Sequence, residues 1–143
     1  MILLADKNSP SWGFAQKIQT YILKTKEVNI PLYEVQITLF MNNEVGVHIP
    51  ENMRGKDVYF IHDSSKYPQD WWVELLLIKD LLLSSSAASV TFVLPNMLYS
   101  RQDRKDKPHV PISARALARS ISHGVKRIIT MDLHAGQIQG FYP

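Results

Sequence analysis

The sequence predicts an α/β domain, a parallel sheet flanked by helices with a small β-hairpin. Short apolar runs at Ile2–Ala5, Asp57–Ile61, Val90–Leu94 and Arg127–Met131 alternate with longer helix-like runs, the order that builds a parallel sheet through helical crossovers. Two period-two runs, Tyr33–Phe40 and Val45–Ile49, flank Met41-Asn42-Asn43 and form a hairpin or strand pair around that turn. A chain of 143 residues supports one domain with a real core, a size that buries about 68–70% of its unfolded surface.

Each element has its own signal. Ile2-Leu-Leu-Ala5 is a buried first strand. Ser9 offers an N-cap and Pro10 a first helical residue. Trp12, Ala15, Ile18, Tyr21 and Ile22 then recur at helical spacing to about Leu23, and core packing is the expected role of Trp12 and Tyr21. Pro50–Lys56 is a loop before the strand Asp57–Ile61. Asp70 is a plausible cap for a largely buried helix over Trp71–Leu83, whose polar edge is Glu74, Lys79 and Asp80. Ser84-Ser-Ser86 ends it, and Val90–Leu94 is a central strand. Ile112–Ile121 places Ala116, Leu117 and Ile121 on one side and Arg115 and Arg119 on the other, with Gly124 as cap. Arg127–Met131 is the last strand, and it delivers Asp132-Leu-His134 to its C-terminal end. No terminal helix follows before Pro143, which fits half of something larger.

Composition removes several function classes. The chain has no cysteine, which excludes disulfides and thiolate metal sites. A formal charge of +3 is mildly basic and suits an anionic small molecule as well as nucleic acid. Met1–Ala5 is too short for a signal h-region, and Lys79 and Asp80 interrupt the longest apolar stretch, so neither a leader nor a membrane span is expected. The expectation is a soluble, cytoplasmic chain.

Two constellations carry chemistry. The first is Arg101-Gln-Asp-Arg-Lys-Asp-Lys107, cations and carboxylates interleaved just after a buried strand, where open α/β sheets keep their ligand sites. Guanidinium groups grip phosphate bidentately and stack on aromatic planes, and Gln102 and the carboxylates can read the polar edges of a base. On charge alone, a solvated loop with local ion pairs of little worth is the favoured reading. The second is Asp132-Leu-His134, whose two polar residues share one side of an extended chain. They suit Mg²⁺ held together with substrate phosphates. Equally, His134 suits a hydrogen-bond donor or general base, or the pair is a cap and a structural imidazole. His48, His62, His109 and His123 are read as surface or structural residues.

Together, Arg101-Gln-Asp-Arg-Lys-Asp-Lys107, Pro111-Ile-Ser-Ala114 and Thr130-Met-Asp-Leu-His-Ala-Gly-Gln-Ile-Gln-Gly-Phe141 closely resemble ribose-phosphate pyrophosphokinase. The resemblance runs more weakly through Phe40-Met-Asn-Asn-Glu44 and Arg54-Gly-Lys-Asp-Val58, and covers the N-terminal half of such an enzyme. It implies a type I phosphoribosyltransferase-like fold. It also implies transfer of the β,γ-diphosphoryl group of ATP to the 1-hydroxyl of ribose 5-phosphate, with Mg²⁺. By matching position, Arg101, Gln102 and Asp106 contact the nucleotide. Phe40, Asn42, Asn43 and Glu44 complete its pocket from a neighbouring subunit of a homo-oligomer. His134, with Asp132 beside it, is the Mg²⁺-associated residue, and Arg104 and Lys105 lie on a loop that closes over the phosphates. Asn52, Gly136 and Pro143 depart from residues common in the family, the first two where allosteric members bind regulatory phosphate or ADP. The groups expected to bind the pentose phosphate are absent, so the isolated chain is expected to be inactive.

Two other readings compete. A non-catalytic associated subunit of the same family tends to have an altered or longer loop around Lys107–Pro111, which is short here. A nucleic-acid binder needs aromatic platforms or a broad basic face, and Asp103 and Asp106 within the loop oppose it.

Overall fold

The computed structural model describes residues 1–143. Six strands form one sheet in the order β3-β2-β1-β4-β5-β6. These are β1 (Ile2–Asp6), β2 (Leu32–Leu39), β3 (Val45–His48), β4 (Asp57–Ile61), β5 (Ser89–Val93) and β6 (Arg127–Ile129). Every neighbouring pair is parallel except the β2–β3 hairpin, where Ile37 faces Val47. Helices α1 (Pro10–Lys26), α2 (Pro68–Ser84) and α3 (Ser113–Ser122) supply the crossovers, and a 3-10 helix spans Gly136–Phe141.

Strand β1 is apolar and buried along its length because both faces of the sheet are covered. Its residues alternate between the two layers. Leu3 and Ala5 pack with Ala15 of α1, Ile30 and Ile61, while Ile2 and Leu4 join the larger cluster with Phe60, Trp71, Leu75, Ile78, Phe92 and Leu117. The C-terminal ends of the five parallel strands therefore line one edge of the molecule. Along that edge the strand order reverses between β1 and β4.

Five expectations change. Helix α1 runs on to Lys26, and Tyr21 is 69% exposed, because its place in the helix falls outside the stripe that packs on β1. Asp70 is not the cap of α2. The helix starts at Pro68 after Tyr67, leaving Asp70 in the first turn, since proline suits the first helical position. Glu74 is not on a polar edge but buried, at 3% exposure, because it has cationic company described below. Finally, β6 stops at Ile129, although one parallel bridge, Asn96 to Asp132, extends its pairing with β5. No helix is long and apolar enough to cross a membrane.

Candidate functional site

After β5 the chain turns sharply at Tyr99, which has a positive φ of 60°, a strained value for a bulky side chain. The Tyr99 ring packs edge-on with Trp72, their centroids 4.8 Å apart, and Trp72 is itself anchored by its Nε1 donating to Ser120 Oγ at 2.8 Å. Gln102 is then tied to the start of α3: its carbonyl accepts from Ala114 N at 3.1 Å, and its Oε1 accepts from the Ser113 hydroxyl. Asp103 Oδ2 accepts from Gln137 Nε2, across to the segment after β6. Arg104–Lys107 carry on exposed to solvent, and His109 again has a positive φ, 63°.

Adjacency of β5 and β6 joins the two constellations. Arg101, Gln102, Ser113, Asn96, Asp132 and His134 line one cleft of about 510 Å³. Arg101, Gln102 and His134 recur in an adjoining cleft of about 410 Å³, with Asp103, Arg104, Asp106 and Gln137. Arg101, Arg104, Lys105 and Lys107 make no ion pair, since the three in the structure all involve Glu74 or Lys66. The loop of internally paired charges is therefore not what forms. Its cations stay free beside a polar cleft. Lys105 lines neither cleft.

Asp132 and His134 supply one carboxylate and one imidazole to that cleft, and no group of three potential ligands exists anywhere in the chain. Such a donor set cannot enclose a zinc-like ion. It does fit Mg²⁺, which keeps water and phosphate oxygens around one or two protein ligands.

Phe40, Asn42, Asn43 and Glu44 are not brought to this cleft. They form the tip of the β2–β3 hairpin, towards the opposite edge of the sheet from β6. The tip is a tight turn: Asn43 N donates to Phe40 O at 2.8 Å and Phe40 N to Glu44 O at 2.9 Å. Leu39, Phe40 and Met41 are 60%, 58% and 106% exposed.

The crevice where the strand order reverses, the usual ligand position in such sheets, carries a cluster of the protein's own paired charges. Lys66 Nζ lies 2.9 Å from Asp6 Oδ2 and 2.9 Å from Glu74 Oε2, and His62 Nε2 lies 3.2 Å from Glu74 Oε2. His62 is fully buried, with its ring 5.1 Å from Phe60 and 5.9 Å from Trp71. Burial pulls the Lys66 ammonium down, but hydrogen bonds to Asp6 and Glu74, with their charges, outweigh it and raise its pKa. Asp63 is opposed by burial and still held below the carboxylate range by Ser65, Ser9 and Ser11, whose N–H it accepts at 3.1 Å. Sequence reading missed this cluster because its members are scattered over β1, the β4–α2 loop and α2. Gln137 was missed as a partner of the loop for the same reason.

The fold resembles that of type I phosphoribosyltransferases. The hypoxanthine-guanine phosphoribosyltransferase of L. donovani superposes with a TM-score of 0.54 over 90% of this chain and 61% of that one, at 12% identity, which speaks for the fold alone. Crystalline phosphoribosylpyrophosphate synthetase from Mycobacterium smegmatis superposes with a TM-score of 0.84 over 99% of this chain and 45% of that one, at 32% identity. The family model described as the N-terminal domain of ribose phosphate pyrophosphokinase matches residues 2–123. The chain belongs to the ribose-phosphate pyrophosphokinase family. A relative of that name from Helicobacter pylori is 46% identical over 119 residues, 82% of this chain and 37% of the relative. Another, from Campylobacter jejuni, is 42% identical over 130 residues, 90% of this chain and 40% of the relative. The chain thus spans less than half the length of these relatives.

Proposed function

We infer that this chain is the ATP-binding half of a cytoplasmic ribose-phosphate diphosphokinase. Complemented by a pentose-phosphate-binding half, it contributes to transfer of the β,γ-diphosphoryl group of ATP to the 1-hydroxyl of ribose 5-phosphate. The observation that carries the reading is the convergence of unpaired Arg101, with Gln102 and His134, on shared clefts at the β5 and β6 ends.

Diphosphoryl transfer asks for positioning and charge neutralisation more than for covalent help. Arg101 offers a planar cation to stack on the base or grip phosphate. Gln102, fixed by Ser113 and Ala114, presents an amide of set orientation to the base. Asp132 and His134 would hold Mg²⁺, which supplies neutralising charge on the phosphate oxygens. Arg104 and Lys105, exposed and unpaired, are placed to close over the phosphates and exclude water, and Asp106 orients that closure or contacts the nucleotide. The exposed tip with Phe40, Asn42, Asn43 and Glu44 lies too far along the sheet to serve its own cleft, so in this reading it serves that of a second copy in a homo-oligomer.

Titration calorimetry of the chain with ATP and Mg²⁺ tests the reading. Saturable binding is expected, weakened roughly 10- to 100-fold by Arg101→Ala, the loss of one charge-assisted contact or a little more. Absence of ATP binding, or equal affinity in the variant, contradicts it.

A further inference from the structure

The cationic loop is not uniformly free. Two ties fix its first part: the Gln102 carbonyl and side chain on the start of α3, and the Asp103 carboxylate on Gln137. The second tie crosses from the segment after β5 to the segment after β6, further along the chain than the Asn96–Asp132 bridge that already joins them. Gln137 belongs to the 3-10 helix that follows His134, and its neighbour Ile138 is 1% exposed, so the donor stands on an anchored element. Beyond Asp103 no hydrogen bond or ion pair from a side chain holds Arg104–Lys107, and the next unusual backbone value is the positive φ of His109.

We propose that Asp103 and Gln137 are positioning residues, forming a clasp that sets Arg101 and Gln102 against His134 and leaves Arg104–Lys107 as the moving segment. This rests on the reading of the cleft as an ATP site, and deepens it by dividing the loop into a fixed root and a free tip. The role of Asp103 is to accept a hydrogen bond, not to supply negative charge. Asp103 lines the adjoining cleft with Arg101, Gln102 and His134, and the Gln137 amide donates to its Oδ2, so a carboxylate that would otherwise oppose phosphate there is committed to a neutral donor. Opening the clasp leaves the root held only by the Gln102 ties to α3, so its backbone loosens towards the tip and Arg101 is less often presented to the clefts it shares with His134.

Trypsin reads the division directly, because it cuts after Arg101 within the root and after Arg104 and Lys105 within the tip. Initial cleavage rates of the nucleotide-free chain, resolved bond by bond by mass spectrometry, follow the open population when opening is fast. In the wild type the Arg101–Gln102 bond should be cut slowly and the Lys105–Asp106 bond quickly. Asp103→Ala and Gln137→Ala should each raise the ratio of root to tip cleavage roughly fivefold to tenfold, the worth of one net hydrogen bond. The double variant should go no further than either single. Asp103→Asn, which keeps an acceptor oxygen, should stay within about twofold of wild type. A parallel titration with ATP and Mg²⁺ should find affinity reduced by a similar factor in the two alanine variants and kept in Asp103→Asn. The clasp is overturned by an unchanged cleavage ratio, by additive singles, or by Asp103→Asn behaving as Asp103→Ala. Raised cleavage with unchanged ATP affinity overturns its positioning role. If the wild type binds no ATP the functional reading falls, while the nucleotide-free ratio still decides the clasp.

Discussion

Replacing Lys66 by methionine removes the ammonium from the reversal-point cluster while keeping an unbranched stem of similar length. In the folded chain Lys66 stands within 2.9 Å of both Asp6 and Glu74, whose side chains are 6% and 4% exposed. The variant leaves two buried carboxylates without their cation. Removing one partner of a buried pair costs about 3–5 kcal/mol. The Lys66 side chain is itself 19% exposed, so water softens the loss to roughly 2–4 kcal/mol. For a domain of this size that lowers Tm by ~10 °C at neutral pH. The pH dependence has a definite sign. The Lys66 pKa is raised above its ordinary 10.5 in the folded chain, so its contribution is complete below that pH and is lost as pH climbs through the folded value. The gap in stability between wild type and Lys66→Met should be flat from about pH 7 to about pH 10 and close above that. Circular dichroism melts across this range measure it. A neutral-pH gap below ~2 °C, or one that is unchanged at strongly alkaline pH, refutes the account of the cluster.

Gly124→Ala should destabilise by roughly 1–3 kcal/mol, because φ is +78° there and an added Cβ would stand 2.6 Å from Leu83 Cδ1; urea titration gives the value, and a neutral effect contradicts the reading of Gly124 as the cap of α3. Phe40→Ser with Met41→Ser should abolish any concentration-dependent self-association seen by sedimentation velocity and leave the Tm of the monomer within about 2 °C, since both side chains are already exposed. Persistent association in that variant would assign pairing to another face. The chain alone should form no AMP from ATP and ribose 5-phosphate, and should do so when supplied with a complementary pentose-phosphate-binding half; turnover by the isolated chain refutes the division of labour.

Much of the fold was legible because its signals are local. The apolar runs of β1, β4 and β5 needed only composition, and Ser9-Pro10 marked the start of α1 by capping chemistry. The hairpin showed as period two around Asn42-Asn43. What escaped was set by contacts between distant segments. Glu74 looks like any helix-surface glutamate until Lys66 and His62 are placed beside it, and Tyr21 follows core spacing yet falls outside the packed stripe. At the site, each constellation is legible on its own at a strand end, and β5–β6 pairing is what joins Arg101 and Gln102 to Asp132 and His134. The free state of the loop cations was not legible, because interleaved aspartates in a sequence carry no statement about which partner each will find; Asp103 turns to Gln137 instead.

The central claim, that ATP occupies the clefts at the ends of β5 and β6, is tested most directly by amide chemical-shift mapping of the 16.4 kDa chain during titration with ATP and Mg²⁺. Saturable shifts concentrated at Asn96–Asp106, Ser113–Ala114 and Asp132–Gln137 are the predicted result. Shifts centred instead on Asp6, Asp63 and Lys66, or none at all, would contradict it.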